Sequence, residues 1–147
     1  MRIVVPLLPR PVRWAGVLTV AGFIFYTSVL TVPADPAPPE VIEAFDLIAA
    51  ITQFAQDKWQ HFVAYGTLGY ALAYAVENWG LERWQRCLFT VGVVAMYGVG
   101  IEVVQYTTPD RYFAVGDAVA NTLGSVLVVP RYLVGPDVEV RTVDELF

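Results

Sequence analysis

The amino-acid sequence predicts an all-α fold, a polytopic transmembrane bundle of four spans plus one amphipathic surface helix. Three observations carry the prediction. Hydrophobic residues make up 56% of the 147 positions and charged residues 16%, against roughly 25% charged in water-soluble domains, and mean hydropathy is +0.54. Four apolar runs each approach the roughly 20 residues that cross a bilayer. The polar punctuation between the later runs is short, so successive helices return antiparallel beside one another. The length suits one domain, and the single cysteine, Cys87, rules out an internal disulfide. Net charge is −5, with one lysine against eight arginines. The acids gather in loops and tail, a balance that fits a salt-adapted host and leaves no basic stripe for nucleic acid.

Residues 1–11 read as a cytoplasmic N-terminal tail, where Pro6, Pro9 and Pro11 disfavour a helix start before Val12. Residues 12–134 form the predicted membrane domain. Its first span, Val12 to Val32, is a retained anchor. A cleaved signal peptide is the rival, but the apolar core exceeds the usual 7–15 or so residues. After the proline-rich break Pro33–Pro39, residues 40–56 turn amphipathic. Glu43, Asp46, Gln53 and Asp57 share one side, and Val41, Phe45, Ile48 and Ile51 another. That helix is expected on the membrane surface, or packed over the bundle mouth. The second span runs from Lys58 to Trp79, with Trp59 and Trp79 as interfacial anchors. The third runs from Trp84 to Tyr106 and the fourth from Phe113 to Val134, with Pro130 near its far end. Gly116, Ala120 and Gly124 form a small-residue stripe that admits a neighbouring backbone. Residues 135–147 are an acidic cytoplasmic tail, expected to be loosely ordered.

Cation placement sets the orientation. With the N-terminus inside, the inner segments hold Arg2, Arg10, Arg13, Arg83, Arg86, Arg131 and Arg141, and the outer segments only Lys58 and Arg111. The expected location is the plasma membrane, multi-pass, with both termini cytoplasmic. His61, Glu102 and Asp117 then fall roughly 5–6 Å inside their helix ends on the outer side, at 1.5 Å per residue. One turn deeper come Tyr65, Gly98 and Asn121. Residues four apart share a helix face, which aligns Asp57 with His61 and Tyr65, and Asp117 with Asn121. Asp57, Lys58, Gln105 and Arg111 rim the opening. Ionisable groups at such depth are costly, and they are paired, functional, or both.

Three ordered blocks carry a family likeness. Asp57-Lys58-x-x-His61-Phe62-x-x-Tyr65, Tyr97-Gly98-x-x-x-Glu102-x-x-Gln105 and Arg111-x-Phe113-x-x-x-Asp117-x-x-x-Asn121-x-x-Gly124 resemble the VanZ-like family of small polytopic membrane proteins, named for a teicoplanin-resistance protein. The likeness covers the second to fourth spans. Ala114 stands where many members have a small hydroxyl residue, and Val128 where a second glycine is common. The resemblance implies a cell-envelope role.

Several functions fit these residues. A membrane lipid or lipid-linked glycan is the expected partner, with Lys58 and Arg111 to grip phosphate and Asp57, Tyr65, Gln105 and Asn121 as further ligand-binding candidates. His61, Glu102 and Asp117 are the acid–base candidates should the ligand be modified. No serine or cysteine nucleophile lies among them, and one histidine with two scattered carboxylates is a weak metal signal, so no metal is assigned. The cytoplasmic halves of the spans hold no ionisable relay for a transporter. The alternative is a structural cluster that only holds the helices together: Lys58 with Glu102, Arg111 with Asp117, His61 with Tyr65 or Glu102. Glu77 and Glu82 read as solvated loop charges, and Tyr70 and Tyr74 as packing groups.

Overall fold

A computed structural model describes residues 3–31, 44–107, 115–133 and 138–142. The elements in order are strand β1 (Ile3–Leu7), helix α1 (Arg10–Phe25) continued by a π-helical turn (Tyr26–Leu30), α2 (Ala44–Ala75), α3 (Arg83–Tyr106), α4 (Val115–Val126), α5 (Val129–Leu133) and β2 (Val138–Thr142). The helices run as four legs of alternating direction. Arg13 near the start of α1 meets Asn78 just past the end of α2, Gln105 at the end of α3 meets Ser28 at the end of the first leg, and Lys58 meets Asp117 at the start of α4. Among the described residues, Arg10–Leu30 and Arg83–Tyr106 are long and apolar enough to cross a membrane, with mean hydropathies of 1.4 and 2.0.

Local chemistry explains most boundaries. Pro11 sits in the first turn of α1, where its missing N–H costs nothing. The Gln85 side chain accepts the Glu82 N–H at 2.9 Å and closes the start of α3. The fourth leg is broken rather than continuous: α4 ends at Val126, and α5 resumes at Val129. Pro130 has no N–H for the carbonyl four residues back. The Arg131 N–H bonds Val128 O at 3.1 Å, and the Tyr70 hydroxyl donates to Leu127 O at 3.1 Å, supplying a donor within the break.

Two expectations are corrected. The surface helix expected at 40–56 is not a separate element, because residues 44–75 form one helix of 32 residues. No proline, and no glycine before Gly66, interrupts it, so nothing in the chain supplies a stop at Lys58. The acidic tail is not wholly loose: Val138–Thr142 pairs in parallel with Ile3–Leu7, Val5 opposite Val140. The proline-rich break at 33–39 and the turn at 108–114 lie outside the described residues.

α2 lies at the centre, packed most extensively on α4 and next on α1. Its inner face supplies Tyr65, Leu68, Leu72, Ala75 and Val76 to a core shared with Val17, Ile24 and Val94. Trp79 joins that core, its ring 6.3 Å from Trp14 and 5.0 Å from Phe89, rather than standing at the surface as an anchor. Trp84 and Tyr106 instead flank α3, 62% and 66% exposed and about 33 Å apart along the axis at 1.5 Å per residue. That matches the roughly 30 Å hydrocarbon core of a bilayer. Leu18, Phe23, Leu30, Leu88, Met96 and Leu133 are also outward-facing. Cys87 packs beside Ala73, Val128 and Tyr132 as an apolar filler.

Candidate functional site

Close backbone approach builds the site. A Cβ added at Gly124 would stand 2.5 Å from Phe62 O and 3.2 Å from Gly66 N, so α4 lies directly against α2 there. A Cβ at Gly98 would meet Asn121 Cβ at 2.9 Å and Tyr65 Cε1 at 3.0 Å. Both glycines let three helices converge at the depth where their polar groups sit.

Those groups form a connected row. Lys58 pairs with the Asp117 carboxylate, joining α2 to α4. One turn further along α2, His61 Nδ1 lies 2.9 Å from Asn121 Oδ1. An amide oxygen only accepts, so Nδ1 carries the proton and donates. Asn121 Nδ2 in turn donates to Glu102 Oε1 at 3.3 Å. Glu102 is completely buried, and Asn121 nearly so, while Lys58, His61 and Asp117 are only half-buried. The row therefore leads inward from a partly accessible ion pair and imidazole to an enclosed carboxylate. The Tyr65 ring stacks on His61 at 6.5 Å with an 11° interplanar angle, and meets Tyr97 at 6.3 Å with the rings tilted by 43°. Its hydroxyl is buried and, among the described residues, has no hydrogen-bond partner. Leaving a buried hydroxyl so costs about 1–3 kcal/mol.

The structure thus brings together Lys58, His61, Tyr65, Glu102, Asp117 and Asn121. It joins Lys58 to Asp117 and His61 to Asn121, two pairs that the sequence reading did not propose. Gln105 is buried, and its amide donates to Ser28 O at 2.7 Å, so it ties the end of α3 to the π-helical turn. Asp57 lies on α2, but its side chain is outside the described ones, as is Arg111 altogether. Among the described residues no group of three or more His, Cys, Asp or Glu could hold a metal ion.

A second polar cluster occupies the opposite end of the bundle. Arg13 is buried, and its guanidinium donates to Ala75 O at 2.8 Å, Tyr74 O at 3.3 Å and Asn78 Oδ1 at 3.2 Å, placing a cation on the negative C-terminus of α2. Glu77 is not a solvated loop charge. Its carboxylate is bridged by Arg86, at 3.1 Å, and by Arg131. Among the described residues, buried charges therefore occupy both ends of the bundle. The sequence signal was there, an acid with arginines just past one helix end and within the next, but it resembles any loop.

Aliphatic side chains facing outward, with carboxylate, amide and imidazole groups enclosed, invert the distribution of a water-soluble domain. With two helices long enough to cross a bilayer, that inversion points to a small helical membrane protein. A family model described as VanZ/LLP1 matches residues 14–134, and the chain belongs to that family. No curated protein and no solved structure matches it.

Proposed function

We propose that this VanZ/LLP1 chain crosses the plasma membrane four times and binds an anionic lipid head group or lipid-linked envelope component at its extracytoplasmic end. Lys58 stands at the mouth, beside the N-terminus of α4, where anions are favoured, and Arg111 is the second cation the sequence offers for a phosphate. His61 and Asn121 lead inward to Glu102, which suits hydroxyl or amide hydrogens of the ligand. With Nδ1–H donated to Asn121 Oδ1, Nε2 is the His61 ring nitrogen left to face the ligand, the atom that would take a proton if the ligand is modified.

The observation that carries this reading is the buried Tyr65 hydroxyl, which has no partner among the described residues and is set beside His61 in the row. A ligand oxygen there removes the penalty. The structural alternative also has an observation in its favour: Lys58 with Asp117, and His61 with Asn121 and Glu102, satisfy one another. Each such intramembrane contact contributes only about 0.6 kcal/mol.

Mass spectrometry of lipids that co-purify with the protein tests the two readings, with thermal melts in detergent as the folding control. Tyr65→Phe and Glu102→Gln should leave a folded protein that retains several-fold less lipid per folded molecule. Under the structural reading Tyr65→Phe raises the melting temperature and retained lipid is unchanged. Equal retention of anionic and zwitterionic lipids, unaffected by Arg111→Lys, would remove the anionic ligand.

A further inference from the structure

Among the described residues the sheet consists of β1 and β2 alone, and two isolated strands are marginal in water. One edge is already covered. Pro6 has no N–H, its carbonyl accepts the Tyr74 hydroxyl at 2.8 Å, and the Leu8 N–H donates to the same hydroxyl at 3.0 Å. Backbone groups alternate sides along a strand, so Val4 and Pro6 turn away from β2, and Ile3, Val5 and Leu7 turn toward it. With Val5 opposite Val140, the backbone groups of Glu139 and Arg141 serve β1. Those of Val138, Val140 and Thr142 turn to the far edge, where among the described residues no third strand pairs.

We infer that this far edge of β2 pairs antiparallel with the same edge of a second copy, across a two-fold axis at Val140. The strand Val138-Glu139-Val140-Arg141-Thr142 is self-complementary in that arrangement. Glu139 of each copy stands opposite Arg141 of the other, and Val138 opposite Thr142. The 139–141 pairs fall at the non-hydrogen-bonded positions of the ladder, where residues of opposite charge are favourable. A slip of two residues sets Glu139 against Glu139, or Arg141 against Arg141, so the pattern also selects the register. The result is an isologous interface with about six new backbone hydrogen bonds, and it extends two strands to four. So small a contact is best read in the membrane, where both copies share one surface.

Cross-linking in membranes carrying the full chain tests it. Two differently tagged copies, both Cys87→Ala, bear Glu139→Cys and Arg141→Cys respectively. Mild oxidation should give the mixed dimer as the main product, with little from either copy alone. Co-purification of two tagged copies should be lost with Glu139→Arg or with Arg141→Glu, and regained in the double exchange, at unchanged melting temperature. A mixed pair that cross-links no better than Glu139→Cys alone overturns the inference. So does co-purification indifferent to the charge changes, as a third strand donated by another protein would give.

Discussion

At Gly124 the nearest atoms to an added methyl group are backbone atoms of α2, at 2.5 and 3.2 Å, and backbone cannot swing aside as a side chain does. Gly124→Ala should therefore push α4 off α2, costing about 1–3 kcal/mol of stability as overpacking does, and should lower lipid retention with it. Gly100 has nothing within 4 Å, and Gly100→Ala should stabilise α3 by about 0.5–1 kcal/mol through backbone entropy. Melting temperatures of the two variants moving in the same direction would contradict this account of the contact. Residue spacing made His61, Glu102, Asp117 and Asn121 legible, because distance from a helix end gives depth. Depth does not give azimuth, so the sequence could place these four residues together yet not say which meets which. Lys58 finds Asp117 because α2 and α4 are in direct contact along the Gly66–Gly124 seam, a packing fact that no single helix encodes. In the sequence Tyr65 is one candidate among several, and that its hydroxyl has no partner among the described residues emerges only once three helices enclose it.

Among the elements, the end of α2 is held by side chains rather than by a sequence stop. Arg13 caps its carbonyls from α1, and Arg86 also donates to Glu77 O. The Glu77 carboxylate then links α2 to α3 through Arg86 and to α5 through Arg131. Glu77→Gln should accordingly cost more than the roughly 0.5 kcal/mol typical of an exposed position. Because these groups are partly exposed, the loss should stay below the about 3–5 kcal/mol of stranding a fully buried partner. Glu82→Gln, at an exposed position, should stay near the exposed value. Detergent melts that rank the two variants the other way would return Glu77 to the status of a loop charge. From sequence the fourth span is expected to run unbroken through Pro130, whereas the break at Leu127–Val128 follows from that residue's missing N–H. The continuity of α2 was less legible, since the polar pair Asp57-Lys58 imitates a boundary while no residue there breaks a helix. The strands were not legible at all. β1 contains a proline and β2 a charged alternation, and their pairing joins opposite ends of the sequence, beyond the reach of local pattern.

For the whole molecule, orientation is the quantity on which the proposed site depends. Arg10, Arg13, Arg83, Arg86 and Arg131 lie at the end shared by the start of α1, the α2–α3 turn and α5, whereas Lys58 lies with Asp117 at the other. Cations of short loops stay in the cytoplasm, so the row from Lys58 to Glu102 should open outward. The first leg takes part in the same body. Tyr97 donates to Ala21 O at 2.7 Å and Gln105 to Ser28 O at 2.7 Å. Thr107 is exposed just past α3, and Leu81 is exposed in the turn before it, so the two report on opposite ends of one helix. In a Cys87→Ala background, Thr107→Cys should react with a membrane-impermeant maleimide in intact cells, and Leu81→Cys only after lysis. The same pattern should survive the charge exchange at Glu139 and Arg141, which alters pairing between copies but moves no cation across the membrane. Labelling of Leu81→Cys in intact cells, with Thr107→Cys protected until lysis, would turn the bundle over. The polar row would then face the cytoplasm, and a head group of the outer leaflet could not be its ligand.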